Sequence, residues 1–420
     1  MDFISSKNIF LLTRDTLKLI DKRLMKHGSR TAYMVYKMLE CKGGYEKFEI
    51  AEFAMLTTLH DIGAYKTDNL EDMLRFEMRE PIPHSIYGYL FMNNLSPLKE
   101  KAKILLYHNS DYSVTRHLNF PYKDIANYIN YAEKVDIYRN ALGSQFNHSV
   151  FRKYEGIKYS EEAIRLFEQA QQTYDIFNKI QTDAYEAELD ELMDYIMFTN
   201  EEKKQAMEML MYCLSFRSKY KVVDGVTCVC ICEEIAKMMG FSKSNINKLY
   251  YAALIHDIGM LAISKSMIDS DKIFTKEERE LMQTHVEVAE GILSNRVDKE
   301  VVSIAVAHHE RLNGKGYPKG LKSVEMNDSQ KILQIADSLT AMVNTRLYRK
   351  PMSKQEIVDS LKEEADKKKL SREIVGIVID NYDYIVGKAR EQSEHMLKRH
   401  KHLNERFDQV YSNFKGKGRE

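Results

Sequence analysis

The tetrapeptide His-Asp-Ile-Gly occurs twice in this chain, at His60-Asp61-Ile62-Gly63 and at His256-Asp257-Ile258-Gly259. Each copy follows an apolar stretch, residues 53–59 and 249–255, which predicts a buried helix ending at or in the motif. The repetition continues downstream, where His84 pairs with His285 and His108 with His308. Three histidine pairs keep step at an offset of about 200 residues, the mark of a duplicated domain. What is repeated is a set of imidazoles and carboxylates suited to gathering divalent metal ions. Such a chain must fold as two units, each returning distant residues to one point.

Those units should be helical. Only 6 Pro and 18 Gly stand against 22 Met and many Leu, Glu and Lys, and alternating Val-rich runs between turn residues are almost absent. The expected fold class is all-α, two tandem helical bundles related by internal duplication. The first would span residues 1–185, with helices over 29–39, 48–60, 86–93 and 128–142. A long charged helical segment over 160–197 would close it and lead into the second unit. The second would span 200–392, with helices over 206–216, 226–239, 246–256, 356–368 and 372–390. The polar tail, 393–420, carries His395, His400 and His402 among Lys and Arg and reads as a frayed helix or a disordered end.

Lys+Arg and Asp+Glu number 62 each, so no strong field draws the chain to nucleic acid or to an anionic membrane. An anionic ligand must be held by a local site. Among five cysteines, Cys228, Cys230 and Cys232 alternate and no Cys-x-x-Cys pair exists, which argues against a zinc ribbon. An odd count reads as reduced cytoplasmic thiols. The apolar run at residues 9–12 meets Arg14 and Asp15 almost at once, too short for a signal-peptide core or a membrane span. The expected location is the cytoplasm.

In the second unit, His256 and Asp257 are followed by His285, by the pair His308-His309, and by Asp337. Neutral imidazoles and carboxylates are the usual ligands of Mn, Fe or Zn. A carboxylate has two oxygens and can span two metals about 3.5–4 Å apart. Six such residues spread over several helices suit a di-metal hydrolase in a helical bundle, with Fe, Mn or Zn left open. No nucleophile-elbow motif occurs, and none is needed if metal-bound water attacks.

The run His308-His309-Glu310-Arg311-Leu312-Asn313-Gly314-Lys315-Gly316-Tyr317-Pro318 resembles the signature of the HD-GYP family. The segment Ile332-Leu333-Gln334-Ile335-Ala336-Asp337 resembles that family's Ala-Asp helix, and Thr345-Arg346-Leu347-Tyr348-Arg349-Lys350-Pro351 its basic loop. The resemblance covers most of residues 200–392. It implies an all-helical, metal-dependent phosphodiesterase that hydrolyses cyclic di-GMP, a bacterial second messenger, to linear pGpG or GMP. It implies metal ligands at Asp224, His256, Asp257, His285, His308, His309 and Asp337, with Asp257 and His308 catalytic. Arg346, Lys350 and Tyr317 would contact substrate, and the Gly-Tyr-Pro turn could dock a diguanylate cyclase (GGDEF) partner. A homodimer is also compatible with it.

The chain departs from the family pattern at several points. Asp224 stands where the family opens its ligand set with a His, Met260 replaces a Lys after the HD motif, and Thr340 replaces a second Asp. Tyr220 occupies the place of a third-metal acid, so two metals at most are expected. The first unit keeps His27, His60, Asp61, His84 and His108, but has Asn109 in place of the second His and lacks the Gly-Tyr-Pro turn. Ala64 stands at its Lys position, and Asp136 falls where its second helix Asp would be. It could hold one metal through His27, His60, Asp61 and Glu133, or could be a unit kept for packing or regulation. For the whole chain three readings stay open: a cyclic di-GMP phosphodiesterase, an inactive nucleotide-binding or docking module, and a hydrolase of another nucleotide phosphoester.

Overall fold

The computed structural model describes residues 3–66, 82–345 and 351–417. Among these residues every regular element is helical, and β pairing is confined to isolated bridges. The chain divides into two compact units. One draws on Ile9–Ala206, the other on Met207–Lys401 with the start of the chain up to Asn8.

Numbering only the helices that carry candidate site residues or pack beneath them, the first unit contains α1 (Lys22–Lys42), α2 (Lys47–Thr58), α3 (Ile82–Leu95), α4 (Lys103–Tyr107) and α5 (Lys123–Leu142). The second contains α6 (Lys219–Met238), α7 (Lys243–Ile255), α8 (Lys276–Leu293), α9 (Lys299–Ala305) and α10 (Asp328–Val343). Local chemistry sets the boundaries. Asp21 accepts from the backbone N–H groups of Arg23 and Leu24 to start α1. Capping boxes open α8 (Thr275 with Glu278) and α10 (Asn327 with Gln330).

Each unit is organised around one central helix. α1 packs against α2 and α5 and buries Leu24, Ala32, Met34, Val35, Met38 and Leu39. α6 packs against α7 and α10 and buries Val226, Val229, Ile231 and Ile235. Each aliphatic side chain so removed from water contributes about 1.5–3 kcal/mol. The five cysteines are all free thiols. No described helix is long and apolar enough to cross a membrane.

Two expectations about helices fail. The segment over 160–197 is three helices, Glu161–Tyr174, Ile176–Gln181 and Tyr185–Leu192. Asp175 (φ 50) and Asp183 (φ 56) adopt left-handed backbone between them, which Asp tolerates by local hydrogen bonding and which charge periodicity does not reveal. The helix expected over 372–390 is two, Arg372–Asp380 and Tyr382–Lys417, divided at Asn381, and the second runs on through the described part of the tail.

Candidate metal centres

Both His-Asp-Ile-Gly motifs sit where a buried helix gives way to a 3₁₀ turn. α2 passes into Ile62–Tyr65, and α7 passes into Ile258–Ala262. The aspartates share almost one backbone conformation, φ −96 and ψ 16 at Asp61 and φ −96 and ψ 6 at Asp257. This is the sparsely allowed bridge region, where active-site residues often sit. The glycines are there for close approach. A Cβ at Gly63 would lie 2.0 Å from the carbonyl oxygen of His84, and one at Gly259 would lie 1.9 Å from that of His285. Only glycine lets the helix bearing the next histidine lie this close to the His-Asp turn.

The imidazoles are oriented as ligands. Nδ1 of His60, His108, His256, His285 and His308 lies 2.7–2.8 Å from the carbonyl oxygen three residues earlier. A carbonyl only accepts, so Nδ1 carries a proton, and whenever the ring is neutral Nε2 presents a bare lone pair. His27 is held differently: its Nδ1 meets Asp136 at 2.7 Å, and Arg30 donates to both oxygens of that carboxylate at 2.6 and 2.7 Å.

In the first unit four Nε2 atoms converge on Asp61. His60 (3.1 Å) and His27 (3.8 Å) face Oδ2, while His84 (3.2 Å) and His108 (3.6 Å) face Oδ1. Burial favours the neutral acid, but His60, His108 and His84 outweigh it and hold Asp61 well below the usual carboxylate range. Burial likewise depresses His60, but Asp61 prevails and lifts it to about 9. His27, His60 and Asp61 lie close enough to share one ion, as do His60, His108 and Glu133. Glu133 Oε2 is buried without a hydrogen-bond partner, as befits an atom meant for a cation. The structure thus joins His84 and His108 to the four residues expected from sequence. Asn109 then intervenes. Its amide nitrogen lies 3.0 Å from His84 Nε2 and 2.7 Å from His108 Nε2, and by donating to both it occupies those lone pairs.

In the second unit His285, His308 and His309 form the tight ligand group. His285 Nε2 and His308 Nε2 are 3.2 Å apart, two lone pairs converging as they would on a cation. Asp257 Oδ1 faces them at 3.6 and 3.9 Å. Asp337 lies 3.9 Å from His256 and 3.8 Å from His309. Burial and neighbouring imidazoles hold His308 and His309 well below the usual histidine range, so both are neutral and able to ligate. Burial alone would raise Asp257, but Lys221 first and then the imidazoles hold it well below the usual carboxylate range.

Two features here escape sequence reading. Lys221 Nζ donates to Asp257 Oδ2 at 2.8 Å, and Asp224 accepts from Asn344 at 3.0 Å. Lys221 stands one turn before Asp224 on α6, a spacing that could have flagged it. Met260 is buried and adds no charge.

The Gly-Tyr-Pro turn is built onto this site. The buried Glu310 carboxylate accepts from the backbone N–H of Lys319 (2.7 Å) and of Leu321 (2.8 Å). A Cβ at Gly316 would lie 2.3 Å from Arg311 N, so the turn must close on itself there with glycine. The Tyr317 ring lies 4.8 Å from that of His309. Arg346 and Lys350 lie outside the described residues.

Adjacent His and Asp at a helix end, histidines fixed by carbonyls, and an aspartate between them make a candidate His/Asp metal centre in a helical bundle. Residues 204–374 match the family described as HD domain. The chain carries an HD domain over these residues. It is 23% identical over 376 residues, 85% of this chain and 87% of the relative, to 3'3'-cGAMP-specific phosphodiesterase 1 of Vibrio cholerae. It is 39% identical over 126 residues, 29% of this chain and 34% of the relative, to a cyclic di-GMP phosphodiesterase of Thermotoga maritima. Its fold is similar, at a TM-score of 0.55 and 14% identity, to the crystal structure of a cyclic GMP-AMP-specific phosphodiesterase of V. cholerae, over 92% of this chain and 98% of that one.

Proposed function

We propose that the chain is a metal-dependent cyclic dinucleotide phosphodiesterase, that its active site is in the second unit, and that cyclic di-GMP is its substrate. The first unit then has a regulatory or structural role. The observation that carries this reading is the His308-His309 pair with Tyr317 set beside His309, an arrangement that only the second unit has among the described residues. In the first unit Asn109 takes up the lone pairs of His84 and His108, which supports a non-catalytic role there.

His256, Asp257, His285, His308, His309 and Asp337, with Asp224 at the edge, offer the ligand atoms for divalent metal ions. Such ions would supply an acidified water and neutralise charge on the phosphoryl oxygens. The chain's own part is orientation. Backbone carbonyls fix the imidazole tautomers, Asp257 stays ionised between them, and the Tyr317 ring offers a face on which a base can stack.

A second reading, 3'3'-cGAMP as substrate, is favoured by one observation: the V. cholerae relative matched over most of its length is named for that substrate. Steady-state hydrolysis of the two dinucleotides by one metal-loaded preparation separates them. A kcat/KM for cyclic di-GMP at least about tenfold above that for 3'3'-cGAMP, a difference of about 1.4 kcal/mol, supports the first reading. The reverse ratio supports the second.

A further inference from the structure

The two aspartates have unequal surroundings. Asp61 faces four imidazole Nε2 atoms across its two oxygens. Asp257 has His285 and His308 beside Oδ1, while Oδ2 takes the ammonium of Lys221 at 2.8 Å with His256 at 3.8 Å. The position corresponding to Lys221 in the first unit is apolar. Leu24 is three residues before His27 on α1, as Lys221 is three residues before Asp224 on α6, and Leu24 is fully buried. The ion pair is sheltered, with side-chain exposure of 19% for Lys221 and 8% for Asp257. Charges so placed are weakly screened, and the ammonium acts on the whole ligand set.

We infer that Lys221 serves as a resident cation on the Oδ2 side of Asp257, in place of a second metal ion, so that the second unit holds one divalent ion tightly, at His285, His308 and His309. A divalent ion bound through Oδ2 would have to displace the ammonium or sit against it, and both oppose occupancy. Among the described residues the other half of the site has no ammonium on its ligand atoms: three neutral imidazoles and Oδ1 share it. Asp224 adds to the asymmetry, because one of its oxygens accepts from Asn344, which also donates to Thr227 at 3.2 Å. Lys221 is thus a positioning residue that sets how many ions the site takes.

This inference rests on the metal reading proposed above, and it is tested by stoichiometry, not by turnover. Full-length protein is stripped with chelator, equilibrated with Mn(II), passed through a desalting column and assayed for Mn by mass spectrometry. Lys221→Met and Lys221→Gln should each retain about one more ion per chain than the wild type. Lys221→Arg, which keeps the positive charge, should retain the wild-type number. Adding Asp257→Asn to Lys221→Met should remove the gain. No gain in either neutral variant overturns the inference, as does an equal gain in Lys221→Arg. Failure of both neutral variants to fold, judged by circular dichroism, also overturns it, since Lys221 would then be structural. A wild-type protein that binds metal in this pattern but hydrolyses no cyclic dinucleotide would refute the proposed function and leave the inference standing.

Discussion

Replacing Gly259 by Ala should damage the second metal centre without touching a ligand. The added Cβ would stand 1.9 Å from the carbonyl oxygen of His285, 2.8 Å from its carbonyl carbon and 2.9 Å from Ala289 N. All three are backbone atoms of α8, so no side chain can rotate out of the way. Ordinary contact near 3.4 Å requires α8 and the His-Asp turn to part by roughly 1.5 Å, and overpacking of this kind costs about 3 kcal/mol. For a unit of this size that lowers Tm by roughly 6–12 °C. The same shift moves His285 away from Asp257, now 3.6 Å apart, by several times the roughly 0.2 Å tolerance of a metal–ligand bond. Gly291, also on α8, has nothing within 4 Å of the corresponding position, so Gly291→Ala is the control. It should be neutral or slightly stabilising, since alanine is the better helix former. Calorimetry and metal analysis on the two variants decide the matter. A Gly259→Ala protein that melts and binds Mn(II) like Gly291→Ala would refute the argument from close approach.

Other outcomes follow from the same geometry. Asp136→Asn leaves Arg30 buried beside a neutral amide and takes from His27 the carboxylate that orients it, so stability should fall by about 3–5 kcal/mol in chemical denaturation. Burial raises the Asp136 pKa, but His27 and Arg30 overcome it and hold it low. Its contribution is therefore complete above about pH 4, the unfolded carboxylate value, and is lost as pH falls through the lower folded value. The stability gap between wild type and Asp136→Asn should narrow over that acid range. Glu310→Ala strands the N–H groups of Lys319 and Leu321 at about 1–3 kcal/mol each, and hydrogen exchange in residues 310–321 should accelerate. Exhaustive chelation should lower Tm, and Mn(II) at about 100 times its Kd should restore about 2.7 kcal/mol.

The candidate metal centres stand out in the sequence because their residues are rare types that recur in order. The fold brings His60 against Asp61, and His256, His285 and His308 against Asp257. Less legible was what stands beside the ligands. Lys221 and Asp257 are separated by most of two helices, and a lysine on a helix surface looks like any solvated charge until α6 is packed against α7. Asn109 reads as the loss of a histidine, yet in the fold it fills that place by donating to His84 and His108. Asp136 reads as one more family position, and only the fold shows it joining His27 to Arg30. The breaks at Asp175 and Asp183 were hidden for a simpler reason. Helical periodicity is conserved on both sides of a residue that turns left-handed, so the pattern records the helices and not the joints.

The most direct test of the central claim is hydrolysis of cyclic di-GMP by metal-loaded protein prepared without chelators or oxygen, with products separated by chromatography. Linear pGpG or GMP is expected from the wild type, none from Asp257→Asn, and little change with Asp61→Asn. Absence of product from protein that carries metal would contradict the claim, and equal losses from the two substitutions would contradict the unequal roles given to the two units.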